Sequence, residues 1–185
     1  MTFRSTRSDT QRVGFIDAVV QGLAPDGGLY QPVEHLKLRD SLLKWDESTS
    51  FTEIATRAAL AIFGDELDEP DVADLVETAF PFEPKLVALS DNLHVLELFH
   101  GPSCAFKDFG ASFLAGVMER RFASRGDRAI ILTATSGDTG SAVAEAFYRR
   151  ENIDVVILYP SGRVSALQEM QLTGRGENIH ALEVD

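Results

Sequence analysis

In the stretch ELFHGPSCAFKDFGASFLAG, residues 97–116, a lysine stands where a helix is expected to begin. Gly101 and Pro102 break the preceding segment, and a helix starting near Phe106 places Lys107 in its first turn. Unpaired N–H groups and the macrodipole already make that end positive, so a cation is unfavourable there. Phe106 and Phe109 flank the lysine and are expected to shield it from water. Both effects disfavour the ammonium form, and a neutral amine is the nucleophile that condenses with a carbonyl. Spacing alone also fits, and by itself favours, a surface lysine with its stem along apolar surface and its charge balanced by Asp108. His100 and Cys104 are read as packing residues, since no second His or Cys stands at metal-ligand spacing.

Two further turns carry small and polar residues ahead of helices. In TSGDTGSA, residues 135–142, Gly137 and Gly140 free the backbone while Ser136, Asp138 and Thr139 lead into a helix. Such a turn can present N–H groups and hydroxyls to an anion. No lysine follows the last glycine and the G-x-G spacing is absent, so neither a nucleotide-triphosphate loop nor a dinucleotide fingerprint is present. An ordinary helix start capped by Ser136 or Asp138 fits the same residues. In YPSGRVSA, residues 159–166, Arg163 can reach an anionic group or be an exposed loop arginine, and Ser161 and Ser165 can be caps.

The elements that hold these turns follow from periodicity. LHVLELF, AIILTAT, DVVILYP and IHALEV read as strands, and the segments between them, FKDFGASFLAGVMERRFA, TGSAVAEAFYRR and SALQEMQLT, as helices. Alternating strands and helices with near-continuous apolar strands predict parallel βαβ units buried on both faces, with ligands at the carboxyl ends of the strands. Residues 1–92 read as an acidic, mostly helical N-terminal domain and residues 93–185 as the first part of an α/β domain. Within the former, SDTQRVGFIDAVVQGLAP predicts a helix capped by Ser8, Asp9 or Thr10 and stopped by Pro25. DGGLYQP predicts a turn into a short edge segment. SFTEIATRAALAIFG predicts a helix from Ser50 to Gly64, and PDVADLVETAF another that opens on Pro70. The chain ends on a strand at Asp185, which suggests a fold cut short.

The 185 residues are 44% hydrophobic, enough for one sizeable core or a domain with an appendage. A formal charge of −12, concentrated in the front half, argues against nucleic acid as a partner. The single cysteine excludes an intrachain disulfide framework and a multi-cysteine zinc site. No segment reaches the ~18 apolar residues of a membrane span, and MTFRSTRSDTQR lacks the apolar core of a signal peptide. The expected location is the cytoplasm.

Taken together, LELFHGPSCAFKDFG, ILTATSGDTGSAVAEAF and VVILYPSGRVSALQEMQ, with GLAPDGGLYQP near the front, closely resemble the threonine synthase family. The likeness runs from about residue 10 to 185, and other members of the tryptophan-synthase-β-like group share only looser versions of the motifs. It implies a tryptophan-synthase-β-like fold that binds pyridoxal 5'-phosphate and converts O-phospho-L-homoserine and water to L-threonine and inorganic phosphate. Lys107 matches the family lysine that holds the cofactor covalently and, once displaced by substrate, moves protons as base and acid. Asp138 falls where related enzymes carry Asn or Asp near the cofactor's 3-hydroxyl. Ser136, Gly137, Thr139 and Gly140 resemble the loop that receives the substrate carboxylate or phosphate, and Arg163 matches a basic position of the third loop.

Members of this family are more than twice as long. The part beyond residue 185 is expected to hold a second glycine-rich loop for the cofactor phosphate and the partner of the pyridine nitrogen. Residues 1–185 alone are therefore expected to be inactive or nearly so, and to self-associate through an unpaired sheet edge. Two other readings compete. One is a different eliminase using the same cofactor, such as a threonine dehydratase, although those relatives generally lack the helical front with DGGLYQP. The other is a non-catalytic domain that binds small anions or a partner chain.

Overall fold

The computed structural model describes residues 1–36 and 38–185, and the chain divides into two compact units, Met1–Thr78 and Ala79–Asp185. The change of sequence texture near residue 93 falls inside the second unit. Among the described residues, no helix is long and apolar enough to cross a membrane.

The first unit combines a small sheet with helices. Strands β1 (Phe3–Ser5), β2 (Arg12–Val13) and β3 (Tyr30–Pro32) pair antiparallel in the order β2-β1-β3. The expected helical lead is thus partly a sheet, because strands of two and three residues are too short to show alternation. Helix α1 (Phe15–Gln21) starts later than expected, and Gly14 at its N-cap offers no side chain. Glu66 replaces the local cap: its carboxylate accepts from the N–H groups of Phe15 (2.5 Å) and Ile16 (3.1 Å). Ser8 and Thr10, expected as caps, hydrogen-bond each other instead (2.8 Å). The helix stops at Gly22, ahead of Pro25.

DGGLYQP closes onto β1 as a turn and edge strand. One carboxylate oxygen of Asp26 accepts from the Ser5 hydroxyl (2.7 Å) and the Gly28 N–H (2.9 Å). These bonds hold the Asp26 carboxyl below the usual carboxylate range, the Ser5 hydroxyl being the larger cause.

Helix α2 (Arg39–Leu42) precedes α3 (Phe51–Phe63), which begins as expected with the Ser50 hydroxyl accepting from the Glu53 N–H (3.1 Å) and ends at Gly64. Its fully buried residue is Phe63, whose ring meets Phe15 edge-on at 5.0 Å; Phe15 in turn lies 5.6 Å from Phe3. Helix α4 (Glu69–Ala79) opens one residue before Pro70, with Asp68 accepting from the Asp71 N–H (3.0 Å).

In the second unit, β4 (Lys85–Ser90) and β5 (Leu93–Glu97) form an antiparallel hairpin of their own. This corrects the expectation that LHVLELF joins the parallel sheet. The two-residue link Asp91-Asn92 leaves no room for a crossover, so the strands must run antiparallel. The parallel sheet consists of β6 (Ala129–Ala134), β7 (Ile153–Pro160) and β8 (Ile179–Val184) in the order β6-β7-β8. Helix α5 (Lys107–Arg125) leads into β6, and helices α6 (Asp138–Phe147) and α7 (Ala166–Thr173) supply the two crossovers of the sheet, which is the α/β architecture expected.

Along β7, Ile153, Val155, Ile157 and Tyr159 are buried in alternation. On the opposite face Ile130 is 73% exposed and Leu132 68% exposed, with Leu182 and Val184 also exposed. Within this unit the sheet is therefore covered on one face and open on the other, whereas apolar strands predicted cover on both. At the end of the sheet away from the turns that follow β6 and β7, Asn178 joins three segments. Its Nδ2 donates to the carbonyls of Phe147 (2.8 Å) and Ile153 (2.7 Å), and its Oδ1 accepts from the Arg149 N–H (2.7 Å).

Candidate active site

Lys107 is the first residue of α5, as the sequence predicts, and Phe106 at the N-cap makes no side-chain cap. The rotation of α5 is set by an aromatic cluster on one side. Phe109 and Phe113, one turn apart, meet Phe80 at 5.9 and 6.1 Å, and Phe109 also meets Phe82 at 5.0 Å. With that face committed, Lys107, Gly110 and Ala111 turn toward the start of α6. Together with Phe106, Thr139, Ala142 and Val143 they line a cavity of about 290 Å³. That volume is near the lower end of small-ligand pockets.

The expected aromatic shield is one-sided. The Lys107 Nζ lies 4.4 Å from the centroid of the Phe106 ring, but Phe106 is 61% exposed, and Phe109 belongs to the cluster on the other side. Nor does Asp108 balance the lysine at the surface. Asp108 is 1% exposed, and its carboxylate accepts from both the N–H (2.9 Å) and the hydroxyl of Ser103. It also packs on Gly101, where a Cβ would lie 2.4 Å from an Asp108 oxygen. An aspartate in a first turn reads as a dipole-favoured surface residue, so nothing in the sequence signals this burial. Upstream, His100 Nε2 is 2.7 Å from a Glu97 carboxylate oxygen, and Cys104 is exposed with a left-handed φ of 57°.

The second turn is built by a residue the sequence reading passed over. Thr135, at the end of β6, accepts through Oγ1 from the N–H groups of Gly137 and Gly140, both at 3.2 Å. Its hydroxyl donates to the Gly137 carbonyl (3.1 Å), and Gly137 at the N-cap of α6 has no side chain, so Thr135 takes the capping role through the Gly140 N–H. Ser136, Asp138 and Thr139 are exposed, while Gly140 is buried within α6. Close approach, rather than backbone freedom, explains Gly140: a Cβ there would lie 2.3 Å from Thr135 Cγ2 and 2.6 Å from Leu172 Cδ2.

The third turn reaches the second through α7. Ser165 caps α7 in a reciprocal box with Gln168, as expected of that serine, and the Gln168 Nε2 donates onward to Asp138 Oδ1 (3.2 Å). The Ser141 hydroxyl donates to Gln171 Oε1 (3.3 Å), giving α6 and α7 a second polar link. Arg163 is exposed, follows Gly162 at a φ of 63°, and does not line the cavity. The fold thus brings Lys107 and Thr139 to one cavity and ties Asp138 to the neighbouring turn.

Comparisons with known proteins agree with the resemblance read from the motifs. Residues 2–80 match the family model for the threonine synthase N terminus. Threonine synthases of Serratia marcescens and Haemophilus influenzae are 40% and 42% identical over the whole of this chain. The chain spans 43% of the length of each. A crystal structure of PLP-bound threonine synthase from Brucella melitensis superposes with a TM-score of 0.92 at 41% identity, covering all of this chain and 41% of that one. The Escherichia coli threonine synthase structure superposes with a TM-score of 0.85 at 38% identity, covering 100% of this chain and 43% of its own.

Proposed function

Because this chain corresponds along its whole length to the N-terminal part of the threonine synthases, we propose that the protein it belongs to is a cytoplasmic threonine synthase. Its reaction is O-phospho-L-homoserine plus water giving L-threonine plus inorganic phosphate, with pyridoxal 5'-phosphate as cofactor. The observation that carries the proposal is the placement of Lys107 at the first position of α5, lining a cavity with the start of α6.

The residues present fit that cofactor. A primary amine stands at the edge of a cavity whose walls are Phe106, Ala111, Ala142 and Val143, suited to a flat ring, with the Thr139 side chain on the wall supplied by α6. When bound, pyridoxal 5'-phosphate supplies the electron sink that stabilises carbanion character on the substrate while phosphate leaves Cγ and water adds at Cβ. Lys107 is the residue that would hold the cofactor through its amine, and the same amine, once free, would carry protons to and from the substrate carbons, the first being that on Cα.

Asp138, oriented by Gln168, stands for the residue near the cofactor's 3-hydroxyl. Ser136 and Thr139 offer hydroxyls and backbone N–H groups to the substrate's carboxylate or phosphate, and Gly137, whose own N–H is held by Thr135, shapes the turn between them. Gly140 serves by letting α6 close on Thr135 and Leu172. Arg163 attracts the substrate's negative charge from the third turn. Residues 1–185 span about two-fifths of their relatives, and the proposed activity is that of the whole protein, not of this portion alone.

The test is phosphate release and threonine formation by the full-length protein supplied with phosphohomoserine, against ammonia and oxobutanoate release from threonine. Turnover of phosphohomoserine that disappears in Lys107→Ala supports the reading. Turnover of threonine alone would point to a dehydratase.

A further inference from the structure

Asp108 is a fully buried carboxylate one residue from the reactive lysine, and nothing in the proposed chemistry uses it. We infer that Asp108, with Ser103, is a positioning residue that fixes where the Lys107 amine stands. The inference rests on the assignment of Lys107 as the cofactor lysine.

Between the end of β5 and α5 the chain makes an irregular loop, closed by one bond of its own and tied to the first turn of the helix by three more. The Cys104 N–H donates to the Gly101 carbonyl (3.0 Å) and the Asp108 N–H to the Ala105 carbonyl (3.0 Å), so residues 101–104 and 105–108 form two successive turns. The Asp108 carboxylate then reaches back across both turns and receives the N–H and hydroxyl of Ser103. Gly101 is buried directly against that carboxylate, with no space for a Cβ.

Lys107 is thereby bracketed. Its backbone lies between a residue whose side chain is clamped to the loop and a turn closed by that residue's own N–H. The clamp acts on the lysine's Cα, because the exposed Phe106 ring beside Nζ cannot by itself hold the side chain's base. A carboxylate suits this task better than an amide, since it accepts from both Ser103 donors at once. A displacement of about 1 Å at a reacting amine is enough to cost up to ~100-fold in rate, so a clamp at the residue next to it has leverage on the chemistry.

The experiment incubates the full-length protein with pyridoxal 5'-phosphate, reduces it with borohydride and measures the label on each lysine peptide. Lys44 and Lys85, both exposed, are the internal reference. In the wild type the label is expected at Lys107. Asp108→Asn and Ser103→Ala are each expected to lower Lys107 labelling about tenfold, with Lys44 and Lys85 unchanged, and Ser103→Thr is expected to restore it. If Asp108→Asn does not fold, Ser103→Ala carries the test, because it keeps the carboxylate and the backbone donor.

Lys107 labelling at the wild-type level in either variant overturns the positioning role. So does a change shared equally by Lys44 and Lys85, which would signal general loosening. No label on Lys107 in the wild type would overturn the cofactor assignment itself, and this inference with it.

Discussion

Gln168 donates from Nε2 to Oδ1 of Asp138 at 3.2 Å, so the side chain that completes the α7 capping box also holds an acid at the start of α6. The second and third turns are therefore adjusted together. Gln168→Glu separates the two roles, because a glutamate still completes the box but turns an acceptor toward Asp138. For this exposed pair the expected loss is about 0.5–1 kcal/mol in low salt. Thermal unfolding of the full-length variant in low salt and in 1 M salt checks this, since screening should remove most of the deficit.

Gly140→Ala is expected to destabilise, although alanine is the better helix former by about 1 kcal/mol. The new methyl would meet Thr135 Cγ2 and Leu172 Cδ2 inside contact distance. Thr135 cannot rotate away without giving up its bonds to Gly137 and Gly140, and Leu172 is buried. Overpacking of this kind costs about 1–3 kcal/mol, so the net effect is a lower Tm. Calorimetry showing a raised Tm would mean that the turn yields more easily than its bonding suggests.

Acid sensitivity of the first unit should trace in part to Asp26. Its folded-state value is depressed by the Ser5 hydroxyl and the Gly28 N–H. A depressed carboxyl contributes stability that is fully present above its unfolded value, roughly pH 4, and lost as pH falls through the folded value. Asp26→Asn removes the titration, so the stability gap between wild type and variant should be widest near neutrality and close in acid. Denaturant unfolding at pH 7 and at about pH 2.5 measures both ends.

The helix starts at Lys107 and Ser165 were legible because their signals are local. Gly101-Pro102 ahead of Lys107, and Ser165 three residues before Gln168, state their roles within a few positions. Partners that arrive from a distance were not. Glu66 caps α1 from 51 residues downstream of Phe15, which no window around SDTQR contains. Thr135 reads as a strand residue, and only the folded turn shows its hydroxyl collecting two N–H groups. The role of Asp108 depends on irregular backbone around Ser103, where periodicity has no purchase. The apolar runs of β6 and β8 state that they are buried somewhere in a sheet, but not which of its faces this unit covers.

Asn178 bears on the order in which the chain is made. The carbonyls of Phe147 and Ile153 have their amide donor 31 and 25 residues later. At ribosomal speeds of about 5–20 residues per second, the first of them waits roughly 2–6 s for its partner to emerge. Until then the α6–β7 corner of a nascent chain lacks its fastening, so the corner locks only when the start of β8 arrives.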